Sequence, residues 1–162
     1  MAMTMKTEGL EEVSKMLAEL GKQAPEVAAK ALYSGAGIMA DAFAKGAKSI
    51  KTEHFNGKRE KRLPSPEEKA AVVGRTGIAR FKQTGVETDT IVGVTEAGGY
   101  AMIGGQKKAV RLIARAINSG TSFMDKQPVF RKAKTMGEKT ARQEIIRTAE
   151  AMYDEIINGS GN

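Results

Sequence analysis

Residues 118–133 read Asn-Ser-Gly-Thr-Ser-Phe-Met-Asp-Lys-Gln-Pro-Val-Phe-Arg-Lys-Ala and join an apolar segment to a long helical pattern. Glycine permits a positive φ, hydroxyl side chains bond to nearby main chain, and proline fixes φ at the start of the next element. The stretch also holds more apolar side chains than a flexible linker does, so we expect it to pack on a core or on a neighbouring subunit. The predicted interface or assembly residues are Gly120, Thr121, Phe123, Met124, Pro128 and Phe130.

Long helices are predicted on both sides of this stretch. Apolar residues at helical spacing continue beyond Pro128 for about eight turns, which predicts a long terminal helix. Upstream, residues 8–23 and residues 25 to about 50 each show the same spacing, with Gly21 ending the first helix and Pro25 starting the second. Gly35 and Gly37 lie inside the second helix, where each costs about 1 kcal/mol relative to alanine, so a sheet or another helix is expected to approach there.

The middle of the chain predicts a small antiparallel sheet. Residues 78–84, 88–95 and 99–104 combine alternating apolar positions with glycine-rich turns, and residues 107–117 show a short helical pattern. At 162 residues the chain is long enough for one domain with a core and short for two. The prediction is a single α+β domain over residues 1–162, with the sheet packed by a long helix of the N-terminal half and a long C-terminal helix, which packs on the second helix or on another subunit.

Residues 51–72 predict a mobile basic loop. The Asn56-Gly57 pair is a turn signal, and the two prolines around Ser65 disfavour regular strand pairing. The lone histidine of the chain, His54, lies here without a second histidine or a cysteine, and we assign it no role. Four cations of this loop either face solvent or contact phosphate or an acidic partner: Lys58, Arg59, Lys61 and Arg62.

The composition excludes several kinds of chemistry. With no cysteine, the chain has no disulfide, no thiolate nucleophile and no cysteine-based zinc site. No Gly-x-Gly-x-x-Gly segment opens a helix, and neither a Gly-x-x-x-x-Gly-Lys-Ser/Thr segment nor a Gly-x-Ser-x-Gly segment occurs. Acidic residues lack histidine partners, so general acid–base catalysis has no evident residues. We expect a protein that is not an enzyme and that holds no cofactor or metal.

The basic net charge of the chain supports a second interpretation of its function. The 26 Lys and Arg residues exceed the 19 Asp and Glu residues, and residues 52–86 alone carry eight basic against four acidic residues. A small basic DNA-binding module is therefore the alternative, with contacts from cations at 58–62 and 107–115. No run approaches the roughly 18 to 20 apolar residues of a membrane span, and the first residues lack a secretory h-region, so we expect a protein made in the cytoplasm with no membrane contact.

The order of these parts resembles a known family. Residues 76–79 read Thr-Gly-Ile-Ala, residues 118–122 read Asn-Ser-Gly-Thr-Ser, and residues 127–133 read Gln-Pro-Val-Phe-Arg-Lys-Ala. Their order between long helices is similar to that of the tail-completion or head-tail joining proteins of long-tailed bacteriophages and prophages, which are related in pattern to the minor tail protein Z of lambda-like phages. Asn118 stands where that family often has glutamate, and Ile78-Ala79 replaces its usual x-Leu pair.

The resemblance implies a function in virion assembly. It implies a structural protein at the neck or the head-proximal end of the tail, made in the bacterial host cytoplasm and located in the virion. Its implied partners are the head-tail connector, the tail terminator or the tail tube. It also implies self-association into a ring of subunits around the DNA channel, with non-specific DNA contact.

Overall fold

Two long helices, α1 (Leu10–Lys48) and α4 (Val129–Gly159), form the frame of the protein. The computed structural model describes residues 10–54, 57, 60–84, 87–94 and 99–159. The two helices pack against each other, and α1 also contacts a β-hairpin. The remaining elements are α2 (Pro66–Val73), β1 (Thr76–Thr84), β2 (Glu87–Val94), β3 (Tyr100–Ile103), β4 (Gln106–Ala109) and α3 (Val110–Ser119). The predicted α+β class and the two predicted long helices are confirmed.

Helix α1 is continuous, so the prediction of two helices separated near residue 24 is wrong. Pro25 lies inside the helix, where a proline costs about 3 kcal/mol or more. The turns that follow bury Val27, Ala29 and Ala31, which are 1%, 7% and 2% exposed. Burial of a valine side chain alone contributes about 1.5–3 kcal/mol, and the two alanines add to it, so packing offsets the local cost of the proline. Tertiary contacts thus override a sequence signal for a helix end.

Small residues allow α1 and α4 to approach closely in antiparallel orientation. A Cβ atom added to Gly35 would overlap the side chain of Ile145, and one added to Gly137 would lie 3.0 Å from the Met39 sulfur. The expected close approach at Gly35 is therefore confirmed. Gly37 has no atom within 4 Å of an added Cβ, so the packing gives no reason for glycine there.

The strands form two separate two-stranded antiparallel sheets, where the sequence pattern predicted one small sheet. In the first, β1 pairs with β2 from Thr76 opposite Val94, with a bulge between Ile78 and Arg80. In the second, Gly104 and Gly105 have φ values of 57° and 75°, which suits a two-residue hairpin turn. The chain therefore turns back into β4, and the predicted helix at 107–117 begins only at Val110.

The main core lies where the end of α1 meets α2, α3 and the β3–β4 hairpin. Its buried side chains come from six parts of the chain, and half-buried Val129 and Phe130 at the start of α4 pack against it. The connector between α3 and α4 contributes one of the buried side chains. The cluster comprises Ala47, Ile50, Val72, Ile103, Val110, Ile113, Ala114, Ile117 and Met124.

Candidate assembly surface

The connector 118–133 runs from the end of α3 through a turn to the start of α4, and its two adjacent large apolar side chains, Phe123 and Met124, differ in burial. Gly120 has φ = 75°, in the left-handed region that favours glycine. The Thr121 hydroxyl accepts hydrogen bonds from the backbone N–H groups of Phe123 and Met124, at 3.3 and 3.0 Å. Met124 is 2% exposed and belongs to the core, whereas the adjacent Phe123 is 57% exposed. The expectation that the connector packs on a core is confirmed through Met124, and Phe123 is left on the surface.

Two amide side chains fasten this connector to three elements. The Asn118 Oδ1 atom accepts hydrogen bonds from the backbone N–H groups of Phe130 and Arg131, and so caps the first turn of α4. The Gln127 amide accepts from the Lys51 N–H at 2.8 Å and donates to the Lys51 carbonyl at 2.9 Å. The ends of α1 and α3 and the start of α4 are thereby held in one arrangement.

The Phe130 side chain adds an apolar contact between the connector and α1. Its ring stacks on that of Phe43, with centroids 5.7 Å apart and planes inclined by 23°. Pro128 precedes α4 and is half-buried. Among the predicted interface residues, Phe123 is therefore the one that offers a large exposed side chain, because Met124 is enclosed and Phe130 is engaged with Phe43.

Arg62 is tied to the connector and to α2. It forms a parallel β-bridge with Met124: its N–H donates to the Phe123 carbonyl, and its carbonyl accepts from the Asp125 N–H, both at 2.9 Å. Its guanidinium donates to both carboxylate oxygens of Glu68, at 2.6 and 2.8 Å. The structure thus engages Arg62 in an internal ion pair, where the sequence left open exposure to solvent or contact with phosphate or an acidic partner.

Helix α2 was missed from the sequence, and the loop prediction for 51–72 is wrong over its last part. Ser65 caps α2, and Glu68 at 3% exposure closes a capping box by accepting from the Ser65 N–H. The signal was present in the sequence, since serine followed three residues later by glutamate is a helix-start pattern. Mobility of the rest of the segment stays a prediction. Lys61 is exposed, and Lys58 and Arg59 lie outside the described residues.

The Glu68 carboxylate is held ionised by its partners. Burial on its own raises the pKa of Glu68, but the Arg62 guanidinium, the Ser65 N–H and the Lys108 charge together outweigh it and leave the pKa below its ordinary value. The Lys108 ammonium lies 4.0 Å from the carboxylate. A carboxylate with these partners is suited to fixing backbone segments and not to donating a proton.

A groove lies beside the connector. It has a volume of about 1230 Å³ and lies between the second half of α1, the first half of α4 and the segments near 51, 61–63 and 125–127. Its apolar lining, called its floor below, includes half-buried Ile38 and Leu63 and exposed Met136, and its charged side chains are five lysines and two aspartates. The lysines are Lys45, Lys51, Lys61, Lys126 and Lys132.

Neither metal ligation nor membrane insertion has support in the part of the chain that the structure describes. Within it, no three or more His, Cys, Asp or Glu side chains are grouped so as to bind a metal ion. No helix in the described ranges is long and apolar enough to cross a bilayer.

Comparison with protein-family models, with curated proteins and with solved structures finds no match.

Proposed function

We propose that this chain is a phage or prophage virion structural protein that acts in tail completion or head-tail joining, as a ring of subunits around the DNA channel. The proposal rests on the resemblance carried by residues 76–79, 118–122 and 127–133. The observation that carries it furthest is the connector, which is held rigidly by Asn118 and Gln127 yet presents Phe123 to solvent at 57% exposure.

A rigid connector with an exposed aromatic side chain suits an assembly contact. Ordering cost on docking is small when the backbone is already fixed by side-chain hydrogen bonds. Exposed aromatic side chains are enriched at protein interfaces. In this proposal residues 118–133 contact another virion protein, which is the head-tail connector, the tail terminator or the tail tube. The net charge of +7 favours neighbours or DNA of opposite charge.

Gene deletion in the phage or prophage that encodes the chain tests this function. Electron microscopy of the lysate is expected to show heads and tails that are not joined, and the gene supplied in trans restores virions. Complementation by Phe123→Ser is expected to fail, whereas Ser122→Ala, a neighbouring exposed position, complements. Infectious virions of normal appearance that lack the protein would refute the proposal.

The lysine-lined groove favours one second candidate, a small basic DNA-binding module. Exposed Lys107, Arg111 and Arg115 near the start of α3 add to the cations of the groove. Such a module binds duplex DNA with an affinity that falls steeply with salt, because binding releases counterions. Gel-shift titration at low and at physiological salt measures this, and absence of binding at low salt removes the candidate.

A further inference from the structure

Helix α1 extends beyond the end of its partner helix. The last turns of α4, at Glu155, Ile156 and Gly159, lie beside Glu19 and Gln23 of α1. Residues 10–18 therefore project past α4 over about 13 Å, at 1.5 Å per residue. We call residues 10–20 the projecting segment, although its last two residues lie at the end of α4.

The central turn of this segment is exposed at the positions whose side chains the structure describes. Lys15, Leu17 and Ala18 are all exposed, whereas Leu20, beside the end of α4, is half-buried. Leu17, a large apolar residue, is 62% exposed. An isolated helix of this length is marginally stable in water, so a partner surface would stabilise it.

The residues of the projecting segment have a definite chemistry. In the sequence, four apolar residues recur at spacings of three, four and three, which places them along one helix face. Three glutamates accompany them against one lysine. A partner for this segment therefore needs an apolar floor and a surplus of positive charge. The apolar residues are Leu10, Val13, Leu17 and Leu20, and the glutamates are Glu11, Glu12 and Glu19.

The groove beside the connector has that floor and that charge. Its five lysines exceed its two aspartates by three, and its volume is about 1230 Å³. A helix about 10 Å wide and about 13 Å long occupies about 1,000 Å³, so two to three helical turns fill it. The apolar floor favours an amphipathic helix over a nucleic-acid backbone, which presents phosphates and no apolar stripe.

We propose that the projecting segment of one protomer docks in the groove of the next protomer, head to tail. The segment and the groove lie at opposite ends of α1, so one chain cannot join its own two surfaces. Such a heterologous contact closes a ring when the rotation between copies permits. The inference rests on the proposed function for the ring and adds to it the interface that builds the ring.

Paired cysteines test this contact in the full-length chain, which has no native cysteine. Leu17→Cys protein is mixed with Met136→Cys protein under oxidising conditions, since Met136 lines the groove and is 79% exposed. Leu17→Cys mixed with Leu112→Cys is the matched control, because Leu112 is 58% exposed on α3 and outside the groove. All three side chains are exposed, so the substitutions leave the core intact.

The docking geometry predicts at least tenfold more disulfide-linked heterodimer for the Leu17–Met136 mixture than for the control mixture. Within one chain these two positions are about 33 Å apart along α1, since Gly137 faces Met39, and a disulfide requires Cα atoms within about 7 Å. A chain carrying both cysteines therefore forms linked oligomers and not an internal loop.

Charge reversal supplies the second arm. Lys45→Glu with Lys132→Glu is expected to weaken self-association at least tenfold in sedimentation at low salt, and Glu12→Lys with Glu19→Lys supplied on the neighbouring copy restores it. Equal cross-linking in both cysteine mixtures at millimolar protein overturns the inference. A second result also overturns it. If a DNA duplex protects the cysteine of Met136→Cys protein from modification while the Leu17→Cys and Met136→Cys proteins do not cross-link, the groove is a nucleic-acid site. A deletion that leaves heads and tails unjoined, together with equal cross-linking, removes this interface and leaves the proposed function standing.

Discussion

Replacing Arg62 by methionine is expected to destabilise the protein by about 3 kcal/mol at neutral pH. The substitution removes both hydrogen bonds to Glu68, at 2.6 and 2.8 Å, and leaves a carboxylate whose side chain is 4% exposed. Removing one partner of a buried ion pair costs about 3–5 kcal/mol, because the other charge is left without compensation. We take the lower end because the Ser65 N–H and the Lys108 ammonium at 4.0 Å remain.

The dependence of this cost on pH has a definite sign. In the native protein the pKa of Glu68 is lowered, so its stabilising contribution is present above the unfolded pKa of about 4.5 and is lost as pH falls through the folded pKa. Removal of Arg62 takes away one of the groups that lower the pKa of Glu68, so the folded pKa in the variant is higher than in the native protein and protonation relieves the uncompensated charge as pH falls. The difference in stability between the two proteins therefore shrinks on acidification.

Urea unfolding followed by circular dichroism at pH 7 and at pH 4.5 measures both effects. A cost of about 3 kcal/mol corresponds to a fall in melting temperature of about 6–12 °C for a chain of this size. The double variant Arg62→Met with Glu68→Gln removes the stranded charge and is expected to be more stable than Arg62→Met alone. A cost below about 1 kcal/mol that does not change with pH would show that the pair does not hold the fold.

Three further substitutions probe the helix pair and the connector by the same unfolding measurement. Gly35→Ala is expected to lower the free energy of unfolding by about 1–2 kcal/mol, because the new methyl overlaps Ile145. Gly37→Ala is expected to raise it by up to about 1 kcal/mol, because no atom lies within 4 Å of the new methyl. The opposite order would contradict the packing. Gly120→Ala places a side chain at φ = 75° and is expected to cost about 1–2 kcal/mol; an unchanged midpoint would refute this. Asn118→Ala removes a cap worth about 1 kcal/mol, whereas Asn118→Asp keeps the acceptor and the stability; equal loss in both would exclude capping.

Local signals predicted those elements whose stability is local. Apolar spacing beyond Pro128 predicted α4, and glycine at 120 predicted a positive φ, because each signal concerns the geometry of a few consecutive residues. The predicted helix break before Pro25 is wrong because the outcome there depends on tertiary contacts. Burial of Val27 favours a continuous helix over a break. The start of α2 was predictable from Ser65 and its glutamate, whereas the prolines on either side of Ser65 are equally typical of a loop.

The candidate site was predictable only in part, because it is assembled from distant segments. The composition of the connector predicted that it packs on a core, and the structure adds that Gln127 binds Lys51, 76 positions away in the chain. The groove lysines come from α1, from α4 and from three separate loop segments, so no window of sequence shows them together. Arg62 resembled its basic neighbours in the sequence, and its ion pair with Glu68 depends on the fold of α2.

The same interactions that stabilise the core also position the rim of the groove. The bridge of Arg62 to the connector holds the adjacent Lys61 and Leu63 at one edge, and the Gln127 amide holds Lys51 at another. In the proposed contact, a fixed backbone removes the cost of ordering the main chain, whereas each lysine side chain that an acidic helix immobilises still costs about 0.5–1.5 kcal/mol. In the proposed assembly, such a protomer keeps its docking geometry before it meets a neighbour, because its backbone is already fixed by these contacts.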